Sequence, residues 1–185
     1  MRRLQIIFLC LFFGYLYPMS FAMQGIVKTS FFQNENQFEI SENNSDTDRD
    51  PSDAFIITIK TDNTGTSADT EFTLPWVGTY DVDWGDGNTE TSVVDTQTHT
   101  YASAGTYDVK VTATTGRIVF NNGGDRLKLL DIKNWGTCAW TRMDAAFRGC
   151  TSLTSIAATD APNLSNVTDL SNMFWKCRLS NADFS

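Results

Sequence analysis

The chain predicts a mixed fold: an all-β sandwich of short antiparallel strands, then a short α/β solenoid. Three observations carry that expectation. Residues 79–84 alternate, with Tyr80, Val82 and Trp84 on one face and Asp81 and Asp83 on the other. Residues 106–113 repeat the pattern with Tyr107, Val109, Val111 and Ala113 against Thr106, Asp108, Lys110 and Thr112. A period of two with polar partners describes half-buried antiparallel strands. Further on, an aromatic-x-x-Cys pattern recurs, Phe147 to Cys150 reappearing as Phe174 to Cys177. Such a period, in the twenties, marks repeated, stacked units.

The elements follow in order. Arg2 and Arg3 precede an apolar run from Leu4 to Tyr17, and Ser20-Phe21-Ala22 ends it with small residues at the positions a signal peptidase reads. Residues 1–22 are therefore expected to be a secretory signal peptide cleaved after Ala22. The run falls short of the ~18 apolar residues of a membrane span and is broken by Gly14 and Pro18. Cys10 follows Phe8-Leu9, which lack the small residues of a lipidation site. Cleavage lowers Lys+Arg from 14 to 12 against 22 Asp+Glu, a net charge of −10. Such a chain repels phosphate backbones, which argues against nucleic acid as a partner. Cys138, Cys150 and Cys177 remain, and an odd count in an exported chain leaves a thiol free or paired between molecules.

Residues 23–52, rich in Asn, Ser, Asp and Glu, read as a flexible spacer, with a short strand through Phe31, Phe32, Phe38 and Ile40 as the alternative. From Ala54 the β-branched Phe55-Ile56-Ile57-Thr58-Ile59 opens the sandwich, expected over residues 53–121. Gly85-Asp86-Gly87-Asn88 ends one strand with residues that tolerate positive φ, and Ala104-Gly105 starts another. Asn121-Asn122-Gly123-Gly124-Asp125 breaks the pattern, and residues 122–185 read as an incomplete repeat array. There Leu127, Leu130 and Ile132 form an apolar rung, and Leu153 and Ile156 form the next, set opposite Leu127 and Leu130 by an equal interval. Residues 141–150 and 168–177 are expected to be short helices, the first stopped by Gly149. Leu179 and Ala182 open a further rung.

Trp84-Gly85-Asp86-Gly87, followed by His99-Thr100-Tyr101-Ala102-Ser103-Ala104-Gly105-Thr106-Tyr107-Asp108-Val109, resembles the signature of PKD-type, immunoglobulin-like domains. Gly124-Asp125 with Leu130-Asp131-Ile132, then Trp135-Gly136, Trp140-Thr141-Arg142-Met143, Ala146-Phe147-Arg148-Gly149-Cys150, Asp160-Ala161-Pro162 and Asn172-Met173-Phe174, resemble the leucine-rich-repeat surface proteins of bacteria of the BspA type. These resemblances imply a secreted or cell-surface protein that recognises a protein or glycan on a host or neighbouring cell and has no enzyme activity. PKD-like domains often accompany polysaccharide enzymes, so the alternative is a carbohydrate-binding accessory module acting through the sandwich. Fewer than three full repeats are present, so either the chain is a fragment or the sandwich caps the stack.

The candidate sites each have two readings. Asp81, Asp83 and Asp86 invite a calcium loop, but Gly85 and Asp86 stand one place out of register for an EF-hand; the alternative is a turn in which Asp86 caps its own backbone while Asp81 and Asp83 face water. Asp81 and Asp83, roughly 7 Å apart by strand rise, are the spacing of an acid–base pair but also of any alternating strand. His99 is the only histidine, which excludes multi-histidine metal sites; no serine sits in a G-x-S-x-G elbow. No catalytic residue and no cofactor are assigned. Cys150 and Cys177, at equivalent repeat positions, are either buried small hydrophobes or a disulfide. Trp135 and Trp140 fall at inward positions, leaving Trp175 as the expected partner contact.

Overall fold

The computed structural model of the protein describes residues 53–180. The expected leader, the spacer with its alternative strand, and Ala182 lie outside the described residues. The described residues are nearly all β, with eleven short strands and no helix. One open sheet holds six of them, in the order β11-β9-β1-β7-β4-β5. Its strands are β1 (Phe55–Lys60), β4 (Thr79–Asp83), β5 (Thr89–Val94), β7 (Thr106–Thr112), β9 (Leu129–Asn134) and β11 (Ser155–Ile156). Opposite stand a three-stranded sheet of β10 (Ala139–Trp140), β8 (Thr115–Ile118) and β3 (Trp76–Val77), and a pair of β2 (Glu71–Leu74) and β6 (Gln97–Thr100). The arrangement is consistent with a β-sandwich.

The alternation explains the layers. Tyr80, Val82 and Trp84, like Val109 and Val111, turn inward and are buried, while Asp81, Asp83, Asp108 and Lys110 stay half-exposed. From the opposite side Phe72, Leu74, Trp76, Ile118 and Trp140 close the core. β1 sits mid-sheet between antiparallel β7 and β9, with Ile57 opposite Val109 on one side and Ile132 on the other. That central place accounts for its nearly unbroken apolar run and for the burial of Thr58. β9 belongs to residues 122–185 of the sequence, yet it completes the sheet begun by β1, and one apolar cluster runs from Phe55 through Trp135 and Trp140 to Leu153. Phe55 packs edge-on to Trp140 at 5.0 Å between ring centroids.

Beyond β8 the chain winds back on itself in parallel. Thr115 and Gly116 pair with Ala139 and Trp140, Ala139 bridges to Asn163, and Asp131 and Ile132 pair with Ser155 and Ile156. The rung register differs from the expected one. Ile156 lies beside Ile132, not Leu130, because paired strands are separated by a shorter step along the chain than the expected rungs.

The two expected helices are turns, so the α/β character expected of the repeat is absent among the described residues. In the first turn Ala146, Arg148 and Cys150 donate to Met143, Ala145 and Phe147, three residues back, at 3.1–3.3 Å. The intervening N–H groups of Ala145, Phe147 and Gly149 leave the turn and donate to the carbonyls of Ser171, Met173 and Trp175 at 2.8–2.9 Å. An α-helix would need those donors for its own i→i−4 ladder. Left-handed backbone at Ala145 (φ 53°) and Gly149 (φ 81°), repeated at the equivalent Asn172 (57°) and Lys176 (67°), also interrupts any helix. The spacing of Met143, Ala146, Phe147 and Cys150 matches a helical stripe, but it serves equally to point four side chains into a stacked turn.

Candidate functional site

The Trp84-Gly85-Asp86-Gly87 turn is built from local hydrogen bonds. Gly85 has φ +82° and Gly87 has φ +92°. A Cβ at Gly85 would also collide with the backbone of Asp108 on β7. Asp83 accepts the Gly85 N–H at 2.9 Å, and Asp86 accepts the Asn88 N–H at 3.0 Å through one oxygen. The other oxygen of Asp86 lies 2.9 Å from His99 Nε2. His99 stacks on Trp84 at 4.8 Å and 5°, Tyr101 meets His99 edge-on at 4.6 Å, and Tyr107 stacks on Tyr101 at 4.0 Å. Tyr101 Oη donates to the Trp84 carbonyl at 3.1 Å. The turn signature and the His-Tyr-Tyr residues thus form one aromatic column that locks the turn to β6 and β7. Partial burial pushes the Asp86 carboxyl up, but hydrogen bonds from His99 and Asn88 outweigh it and hold the group below its ordinary value. Burial raises the Tyr101 phenol well above its ordinary value.

The carboxylates considered for calcium or acid–base work have separate partners. Asp81 accepts the Ser92 N–H at 2.8 Å, Asp83 takes Gly85 and the Lys110 ammonium at 2.9 Å, and Asp86 takes Asn88 and His99. Among the described residues no group of three His, Cys, Asp or Glu side chains is placed to hold a metal ion.

Three aspartates that the sequence reading named only as part of its motifs fasten the molecule. Asp125, buried to 1% exposure, accepts the N–H groups of Thr66, Ser67 and Thr73 at 2.8–3.0 Å. Beside it the fully buried Lys128 ammonium donates to the carbonyls of Ser67, Ala68 and Glu71 at 2.8–3.2 Å. The pair clamps β2 and the loop before it to the coil that follows β8. Burial pushes the Asp125 carboxyl up, and the Ser67 and Thr73 hydrogen bonds with the Lys128 charge more than reverse that. Asp160 accepts the N–H groups of Trp135 and Gly136, and Asp131 accepts Ser155 Oγ and the Ala157 N–H, fastening one coil to the next. Asp131 and Asp160 belong to the quoted repeat motifs, and they stand close to one repeat period from the groups they bind.

The three cysteines among the described residues are free thiols, Cys138 and Cys150 buried and Cys177 half-buried. Cys177 Sγ donates to the Phe147 carbonyl at 3.2 Å. Burial pushes the Cys138 and Cys177 thiols up to about 11 and Cys150 higher still, so none is poised as a nucleophile.

Of the five tryptophans, Trp76, Trp84, Trp135 and Trp140 are at most 5% exposed, whereas Trp175 is 43% exposed. It stands at the edge of the last turn, with the Arg148 guanidinium carbon 4.8 Å and the Lys176 ammonium 4.2 Å from its ring centroid. Arg148 also reaches Asn121 Oδ1 at 3.4 Å. Asn121, Arg148 and Trp175 follow one another at the repeat interval, so the period alone could have placed Arg148 beside Trp175. Leu170, 51% exposed, lies on the same last coil. Comparison with protein-family models, curated proteins and solved structures finds no match to this chain.

Proposed function

We propose that the protein is a secreted or cell-surface recognition protein that binds a protein or glycan of a host or neighbouring cell through its stacked coils, without catalysis. Residues 53–121 form a PKD-like sandwich in this reading, and the following coils a short stack related to the BspA-type repeats. Export follows from the leader-like residues 1–22. The sandwich serves as the cap of the stack, a role supported by β9 pairing directly with β1. Stacked coils bury their faces only against neighbours, so the start of a stack needs a cap of that kind.

The observation that carries the reading is Trp175, the one tryptophan left exposed, with the Arg148 and Lys176 cations close to its ring. Exposed, restrained aromatics are the side chains that most often dominate recognition surfaces. Binding through the sandwich is the weaker reading, because its own tryptophans, Trp76 and Trp84, are fully buried. The test is adsorption of the whole chain to intact cells, matrix proteins and glycans, with and without Trp175→Ala. Retention falling at least about tenfold with an unchanged melting temperature supports the reading; unchanged retention removes the Trp175 edge from the interface.

A further inference from the structure

We infer that the Trp175 edge recognises an acidic polysaccharide, a linear glycan carrying carboxylate or sulfate groups; this rests on the recognition reading above. The first argument is charge. Residues 53–121 carry ten carboxylates against three Lys or Arg, a net −7, whereas residues 122–185 carry six against seven, a net +1. Among the described residues, Lys60, Lys110, Arg117, Lys133 and Arg142 are each paired with a carboxylate, and Lys128 is consumed by buried carbonyls. Arg126, Arg148, Lys176 and Arg178 make no ion pair there, and all four lie on the coils.

The second argument is placement. Arg148 and Lys176 both approach the Trp175 ring, and the Arg126 side chain passes Gly149, whose N–H binds the Trp175 carbonyl. Two cations that make no ion pair among the described residues therefore lie against one exposed indole, with a third, Arg126, on the same run of coils. Arg148 spends a single donor, at 3.4 Å, on Asn121 and its Nε is buried, which leaves its other terminal N–H groups for a carboxylate or sulfate.

The third argument concerns the kind of anion. Adjacent coils are about 4.8 Å apart, so Arg148 and Lys176, on neighbouring coils, present charge along the stack axis. A linear polymer with acid groups on successive sugars matches that direction, and its C–H faces pack against indole. The acidic sandwich repels the same polymer and directs it to the coils.

The experiment titrates the whole chain with polygalacturonate, dextran sulfate, neutral dextran and poly-L-glutamate. The expected result is binding to at least one of the two acidic glycans, weakening as salt rises from about 50 to 200 mM, and none to neutral dextran. Lys176→Gln and Arg148→Gln together raise the dissociation constant at least about tenfold, while Lys133→Gln, a cation paired elsewhere, leaves it unchanged. Should Arg148→Gln disturb the turn, Lys176→Gln alone must still weaken binding about threefold or more. Equal binding to neutral dextran, equal binding to poly-L-glutamate, or an equal loss with Lys133→Gln overturns the inference. No binding to either acidic glycan, with Trp175→Ala still reducing adsorption to cells or matrix proteins, overturns this inference alone. No effect of Trp175→Ala on any surface overturns the recognition reading with it.

Discussion

The two turns at residues 143–150 and 170–177 have the same backbone and opposite surroundings. Both carry left-handed residues at equivalent places, Ala145 with Asn172 and Gly149 with Lys176. Both close through the same i→i−3 bonds. Yet Met143, Phe147 and Cys150 are fully buried, whereas Leu170 is half-exposed and Phe174 and Cys177 are only partly covered. The first turn has a coil on each side: Phe120 and Asn122 donate to it from the preceding coil, and Ser171, Met173 and Trp175 accept from it on the following one. Local conformation is therefore a property of the repeat, while burial is a property of what lies on either side.

The largest test of that contrast is Phe147→Ala against Phe174→Ala. Phe147 stacks on Phe174 at 5.3 Å and meets Phe120 at a tilt at 6.5 Å. Its removal should cost about 3–5 kcal/mol in denaturant unfolding, and the Phe174 change about half of that. Equal losses would mean that the second turn is covered as well as the first.

A smaller effect separates Gly149 from Lys176. Gly149→Ala imposes left-handed strain and drives a Cβ into the Asn122 side chain, so it should destabilise by about 1–3 kcal/mol. Lys176→Gly relieves the same strain where the backbone is open to solvent, and should raise the unfolding free energy by up to about 1 kcal/mol. If Lys176→Gly destabilised by as much as Gly149→Ala, the two left-handed positions would not be equivalent.

The smallest effect is a difference in rate. With a thiol reagent at mildly alkaline pH, Cys177 should label first and Cys150 and Cys138 only after unfolding, as read by intact mass. Burial raises all three thiols, but Cys177 is the least covered. Cys150 labelling together with Cys177 would show that the turns open as a unit.

Much of the β architecture is legible in single residues. The alternation from Tyr80 to Trp84 and through Val109 and Val111 states which side faces the core, since a strand has only two faces. The recurrence of Phe147 and Cys150 at Phe174 and Cys177 states that two segments share a conformation. It could not say that the conformation is a turn, because a helical stripe and a stacked turn place the same four residues inward. The rival donors, Ala145, Phe147 and Gly149, find their acceptors on the following coil, beyond any local pattern.

The site divides in the same way. Gly85, Asp86 and Gly87 announce a turn because few other residues tolerate its backbone, and sequence alone determines that much. Which carboxylates fasten the molecule was decided only in three dimensions: Asp125 and Lys128 reach far back along the chain to the 66–73 loop, Asp131 and Asp160 join coils, and β9 joins β1. Trp135, Trp140 and Trp175 are alike as residues, and their fates differ by cover. The first two face Phe55 and the core, the third has no coil over its edge among the described residues, and burial depends on neighbours brought together by the whole chain.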